Sequence, residues 1–383
     1  MQLHFNQVKD SILDIKLEKR NEIFTFGADN AYPSLVETLI SNSVTSKICV
    51  DKCAKAIYGK SFGKIGKQII NNDGQTLNEV LRIASREFAT HNNVFLHIGY
   101  NGELKIKSIK VIPVGQCRIG KDDDTGYSGK IVQYNNWDKK DGRVDTDKFK
   151  SYDRFNPIKK VIEAQIEASD GILQYKGQIL NIQKDSNSIY SLSDLNPVLE
   201  EAITEIAAKK FRSKNIGNGF LNTKLLTVQP FDSAEKRRKF TNKIDDLRGS
   251  ENTGAVLVLE SSNVSDDLDK QIKLDDLTSK TNDETFQYSE AQARTNIALA
   301  FGVPLGLIDV SESSLFGNSG ELLKQMNLQL WTSKEEERDM IEEMFNKLMF
   351  NFVEPITEDL KIISPYATDE KSVDNGTEQI LTD

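Results

Sequence analysis

The residues able to do chemistry are few, and their spacing suits little of it. The run "YGKSFGK", Tyr58 to Lys64, ends like a phosphate-binding loop, in which backbone N–H groups and a lysine cradle phosphates. That motif needs glycine at position 54, where Ala54 stands, and it should follow a strand and open a helix. Here it follows a helical pattern, so a helix-ending glycine turn is expected instead. The histidines are His4, His91 and His97, with no HExxH or CxxC to build a metal cluster. Serine-rich "ESSNVS" and "DVSESS" lack the GxSxG elbow. Acidic "KDDDTG" and "SDDLDK" lack the glycine and closing glutamate of a calcium loop and read as solvated turns. No catalytic residue, cofactor site or metal site is expected.

Charge is more informative. The net charge is −9, from 58 acidic and 49 basic residues, which argues against broad neutralisation of nucleic-acid phosphates. It is compatible with letting nucleic acid pass without sticking. Between Glu260 and Glu290 nine acidic residues face three lysines (Lys270, Lys273, Lys280). A solvated face is the plain reading; lining a channel, the same residues would keep phosphates from binding tightly. The basic runs Lys209 to Lys214 and Lys236 to Lys239 could touch phosphates, complement helix C-termini or pair with a neighbouring subunit.

The elements that must position such residues begin with a chain of 383 residues, long enough for two or three domains. Cys49, Cys53 and Cys117 are too sparse for a disulfide framework, and Cys49 and Cys53 sit in an apolar helical run. The N-terminus has no apolar signal region, and the near-apolar stretch Ile297 to Ile308 is too short for a membrane span. Tyr32 to Gly59 reads as two helices. A third opens with Thr76 and Glu79 spaced as a capping box and places Leu77, Val80, Leu81, Ala84 and Phe88 on one face. Asn101-Gly102 between β-rich runs signals a hairpin. Strands are expected near Gly129 to Tyr134, Val161 to Ala168 and Ile179 to Gln183.

After Ser191 the pattern lengthens. Asn196 is expected as N-cap, with Pro197 at the first helical position, of a long helix with glutamates early and basic residues late. A strand-helix-strand unit follows over Phe220 to Glu260. Its helix opens on Asp232 and Glu235, carries Phe240, Ile244 and Leu247, and stops at Gly249; its second strand holds Val256 and Val258. A helix capped by Thr281 and Glu284 then runs to Gly302, about 31 Å. A glycine-punctuated loop leads to a last helix from Asn318 to about Asn351, about 50 Å if unbroken.

This order resembles the portal proteins of tailed double-stranded-DNA bacteriophages, the head-to-tail connector rings at the capsid vertex, over residues 30 to 355. "LNPVLEEAITEIAAKKFRSKNIGNG" is similar to the family's descending stem helix, and the unit after it to the clip. "NDETFQYSEAQARTNIALAFGVPLGLI" is similar to the ascending helix, with the signature Ile297, Ala298, Phe301, Gly302, Val303 and Pro304. The resemblance implies an α+β, elongated portal-type subunit. Its parts would be a wing of helices and hairpins (1–193), a descending stem helix (194–216), a clip (217–277) and an ascending helix (278–303). A tunnel loop (304–318), a long helix returning to the wing (319–366) and a polar tail (367–383) would follow, with no substantial crown.

It implies further that Ser311, Glu312, Ser313, Ser314, Leu315, Phe316 and Gly317 face double-stranded DNA in the bore; Leu315 and Phe316 read equally well as a cap on the local core. Phe240, Ile244, Leu247, Val256 and Val258 would serve a clip that docks the terminase large subunit and head-tail adaptor proteins. The wing would meet the major capsid protein, and about twelve copies would form the ring, assembled in the host cytoplasm and kept in the virion. Competing readings are another ring-forming connector or baseplate component, or a hydrolase or nuclease with a dispersed active site.

Overall fold

The structure is a computed structural model. It describes residues 15–18, 21–27, 29–122, 129–137, 146–217, 224–228, 233–235, 237–239, 242, 272–276, 282–308 and 320–366. The chain divides into two compact units, one of residues 1–199 and 297–383, the other of residues 200–296.

The larger unit is built on a mixed six-stranded sheet. Its strands are β3 (Asn93–Tyr100), β4 (Ile106–Ile112), β5 (Cys117–Ile119), β6 (Lys130–Gln133), β7 (Lys150–Arg154) and β8 (Gln178–Gln183), in the order β4-β3-β8-β7-β6-β5. A small ribbon of β1 (Leu17–Glu18) and β2 (Ile23–Phe24) precedes them. The two expected N-terminal helices form as α1 (Tyr32–Asn42) and α2 (Val44–Tyr58), and α3 (Leu77–His91) follows. The Thr76–Glu79 capping box is present: Glu79 N–H donates to Thr76 Oγ1, and Thr76 N–H to Glu79 Oε2 at 2.8 Å. All five residues expected on the inner face of α3 are fully buried.

Gly59 ends α2 at φ +54, and a Cβ there would collide with Ile363 O and the Trp331 ring. The phosphate-loop look-alike is thus a helix stop. The hairpin at Asn101 forms with a longer loop than a two-residue turn. The Asn101 side chain accepts N–H bonds from Glu103 and Lys105, and Leu104 takes φ +62.

The expected strand at Val161 to Ala168 is a helix, α4 (Lys159–Ala168). The reason is topological: β7 and β8 pair in parallel, and a parallel pair needs a crossover, here α4 with Val161 and Ile162 turned inward. The expectation for Asn196 is also corrected. Its Oδ1 is buried without a hydrogen-bond partner, residues Asn196–Val198 form a 3-10 turn, and the helix α5 (Leu199–Gly217) starts after it. Ser193 takes over locally, its Oγ donating to Thr90 O and accepting from Leu195 N–H. Cys49, Cys53 and Cys117 are all buried, and none forms a disulfide.

The smaller unit contains most of α5, the antiparallel pair β9 (Lys224–Val228) and β10 (Ile272–Asp276), and most of α6 (Asn282–Ala300). The partner of β9 comes from the acidic stretch read as a solvated face, in antiparallel register from Lys224↔Asp276 to Val228↔Ile272. Arg212 donates to Glu290 at 2.8 Å and Asn296 to Glu201 at 3.3 Å, linking α5 and α6.

The last expected helix is two: α7 (Gly320–Ser333) and α8 (Glu335–Phe350), interrupted at Lys334. Among the described residues no helix is long and apolar enough to cross a membrane.

Candidate functional site

The signature segment is where α6 ends, and its conformation follows from its residues. Val303 N–H donates to Ala298 O at 2.9 Å, and Gly302 N–H to Leu299 O at 3.0 Å. These are the two bonds of a Schellman cap, which requires a left-handed residue at its centre. Gly302 supplies it at φ +66. Pro304 follows, opening a 3-10 turn over Leu305–Leu307.

Sequence pattern decides which of these side chains anchor the turn. Ile297, Ala298, Phe301 and Val303 are buried, with Leu307 beneath them, while Leu299 and Leu305 point outward. The Cys53 thiol lies 3.6 Å from Phe301 O, which ties α2 to the end of α6. Gly306 lies under the Met326 thioether of α7; a Cβ there would come within 2.8 Å of it and would make the flexible methionine shift. The described residues on either side of 309–319 meet here: the turn after the Gly302 cap lies against Met326, one turn before the buried Leu330.

All six signature residues come together here. Ser311, Glu312, Ser313, Ser314, Leu315, Phe316 and Gly317 lie outside the described residues, as do Phe240, Ile244, Leu247, Val256 and Val258 of the expected clip. The Thr281 cap of α6 lies there too.

His4 lies outside the described residues; His91 and His97 sit in the larger unit, and the buried Nδ1 of His91 has no hydrogen-bond partner. His97 Nε2 is 2.7 Å from Lys176 O, and burial holds its pKa below the usual range. His91 Nε2 is 3.2 Å from Glu37 Oε1. Among the described residues no group of three His, Cys, Asp or Glu side chains could hold a metal ion. Burial pushes the Cys53 thiol up to about 11, away from nucleophilic use at neutral pH.

One cluster next to this site has no counterpart in the sequence reading. Lys334, at the break between α7 and α8, lies 3.5 Å from Asp194 and 3.2 Å from Glu337. Lys184 joins the same carboxylates at 3.6 and 3.1 Å. Burial by itself would raise the Glu337 carboxyl, but the two ammonium groups outweigh it and hold it below its usual range. The four residues are scattered widely along the chain, from Lys184 to Glu337, and no local pattern signals them.

No protein-family model matches the chain, and no curated protein matches it. Solved structures do. A chain of the virion of the native gene transfer agent (GTA) particle superposes with a TM-score of 0.51 at 15 % identity, covering 84 % of this chain and 80 % of that one. A chain from the neck of the native GTA particle, computed with C12 symmetry, gives 0.50 at 14 %, covering 86 % and 82 %. An HK97-family phage portal protein from Corynebacterium diphtheriae gives 0.38 at 11 %, over 70 % and 78 %, too loose a fit to bear weight. The likeness at this level of identity is one of fold: the chain is an α+β protein with the fold of these GTA virion and neck chains, in line with the portal-type architecture that the sequence resemblance implies.

Proposed function

We propose that the chain is a portal subunit: one member of a ring at a capsid vertex through which double-stranded DNA is packaged and ejected. The observation that carries this reading is the fold shared with a GTA virion chain and a GTA neck chain over at least four-fifths of both partners, the neck computed with C12 symmetry. The portal resemblance of the sequence, centred on Ile297 to Pro304, points the same way. In this reading residues 311–317 line the bore and act by steric and electrostatic contact with a moving polymer, which explains why the segment holds no reactive side chain. The clip, residues 217–277, docks the terminase large subunit and later the head-tail adaptors, and the wing meets the major capsid protein. ATP hydrolysis belongs to the motor, and the subunit has no catalysis or cofactor of its own. It assembles in the host cytoplasm and remains in the virion.

The test is the mass and shape of the purified protein by mass photometry and negative-stain microscopy. Closed rings of about a dozen copies with a central hole are the expected result, since head-to-tail contacts that close make rings. A monomer or dimer that persists across protein concentration, salt and pH overturns the proposal.

A further inference from the structure

The break between α7 and α8 has none of the usual sequence causes. From Glu321 to Phe350 there is neither proline nor glycine, and Ser333 to Arg338 consists of residues that helices accept. Yet Lys334 leaves the helical region, at φ −107 and ψ 23. A sharp break without Pro or Gly calls for another identifiable cause, and side chains inserted at the ladder are one.

The structure shows such side chains. Ser333 Oγ donates to Leu330 O at 2.8 Å, and Arg338 Nη1 donates to Trp331 O at 2.6 Å. These two carbonyls would accept the N–H groups of residues 334 and 335 in a continuous helix. Arg338 also stacks 3.6 Å above the Trp331 ring and reaches Ala56 O, fixing the break against α2. The Lys334 side chain, 8 % exposed, is drawn out of the helix line into the cluster with Asp194, Glu337 and Lys184. Asn92 completes it by donating to Asp194 Oδ1 at 2.7 Å. Two cations and two anions balance around the buried Lys334 and Glu337, with Lys184 reaching in from the surface.

The two helices are held very differently. α8 buries Ile341, Met344, Phe345, Leu348 and Met349, whereas in α7 Leu330 is the one residue buried. The core packing therefore fixes α8 over five apolar side chains, whereas α7 is held by Leu330, by Met326 against Gly306 and by the junction itself.

We infer that the Lys184–Asp194–Lys334–Glu337 cluster is a latch that holds residues 320–350 bent, and that a continuous helix is the second state of this segment. In that state Lys334 N–H bonds to Leu330 O, Glu335 N–H bonds to Trp331 O, and the Lys334 ammonium leaves Asp194. The latch also sits at the turn leading into α5, so the bend and the start of α5 share one set of charges. The inference goes beyond the portal reading and holds or fails without it.

The test is a spin-label distance in the full chain, with nitroxides at K324C and E343C, diluted with unlabelled chain so that only distances within one subunit are read. The native cysteines are buried and stay unlabelled. A continuous helix puts these two Cα atoms about 28 Å apart, and any bend shortens that. Wild type should show a single shorter distance. The charge-balanced double variant Lys334→Met/Glu337→Gln should move at least half of the population to about 28 Å. Asp194→Asn, isosteric and milder, should move a smaller fraction the same way and covers the case in which the double variant does not fold. A folded variant of either kind with the wild-type distribution overturns the inference, and so does a wild type already at the straight-helix distance.

Discussion

Replacing Gly302 tests the anchor of the candidate site, because the structure separates backbone cost from packing cost there. A Cβ built on Gly302 meets nothing within 4 Å, so space is not what excludes a side chain. The cost is φ +66, which an L-residue adopts at about 1–2 kcal/mol. A side chain also narrows the unfolded ensemble, which returns about 0.4–1 kcal/mol. Gly302→Ala should therefore destabilise by about 1 kcal/mol net. Gly302→Val, β-branched and intolerant of this region, should reach about 2–3 kcal/mol and break the Val303–Ala298 and Gly302–Leu299 bonds. Gly302→Asn should stay close to wild type, since asparagine visits the left-handed region readily. At roughly 2–4 °C per kcal/mol, valine lowers the melting temperature by about 5–10 °C and alanine by a few degrees. Thermal melts followed by circular dichroism give the series. Valine melting like wild type, or asparagine melting as low as valine, would refute the left-handed cap as the reason for glycine.

Deleting residues 311–317 should leave rings intact in the microscope while impairing DNA packaging or retention in particles; loss of rings would show that the segment is structural and that Leu315 and Phe316 cap the core. Glu87 gives a pH test. Burial raises its carboxyl above the usual range, with Glu37 adding to the shift and His91, Arg86 and the Val114 N–H at 2.9 Å opposing it. A carboxyl raised in the folded state contributes stability below its unfolded pKa that is lost as pH rises through the folded one. Glu87→Gln keeps an acceptor for Val114 and cannot ionise. Its urea midpoint should match wild type at acid pH and exceed it increasingly as pH rises past the ordinary glutamate range; parallel midpoints from pH 4 to 8 would refute the burial cost.

What the sequence made legible were features settled within a few residues. The Thr76–Glu79 box, the stop at Gly59 and the cap at Gly302 each depend on side-chain or backbone chemistry spanning at most one helical turn, and each is present. The helix over Lys159–Ala168 reads as a strand because Val161, Ile162 and Ile166 are β-branched and spaced ambiguously; only the parallel pairing of β7 with β8, a tertiary fact, requires a crossover there. Asn196 fails as a cap for a related reason. Asn-Pro before a glutamate-rich helix is a sound local signal, but Ser193, held by Thr90 from another helix, captures the turn first.

The break at Lys334 shows where such reading must stop. Helix propensity and periodicity both favour continuity from residue 320 to 350, and their sum over a turn amounts to about 1–2 kcal/mol. A buried ammonium with two carboxylates in reach outweighs that preference, since an unpaired buried charge costs about 3–5 kcal/mol. Lys184 and Asp194, far earlier in the chain, therefore decide the conformation of a helix that contains neither. The same imbalance explains why the cluster can serve as a latch. A break written into the sequence by proline would be permanent, whereas one held by four charges against a helix-favouring backbone is reversed whenever a partner is withdrawn.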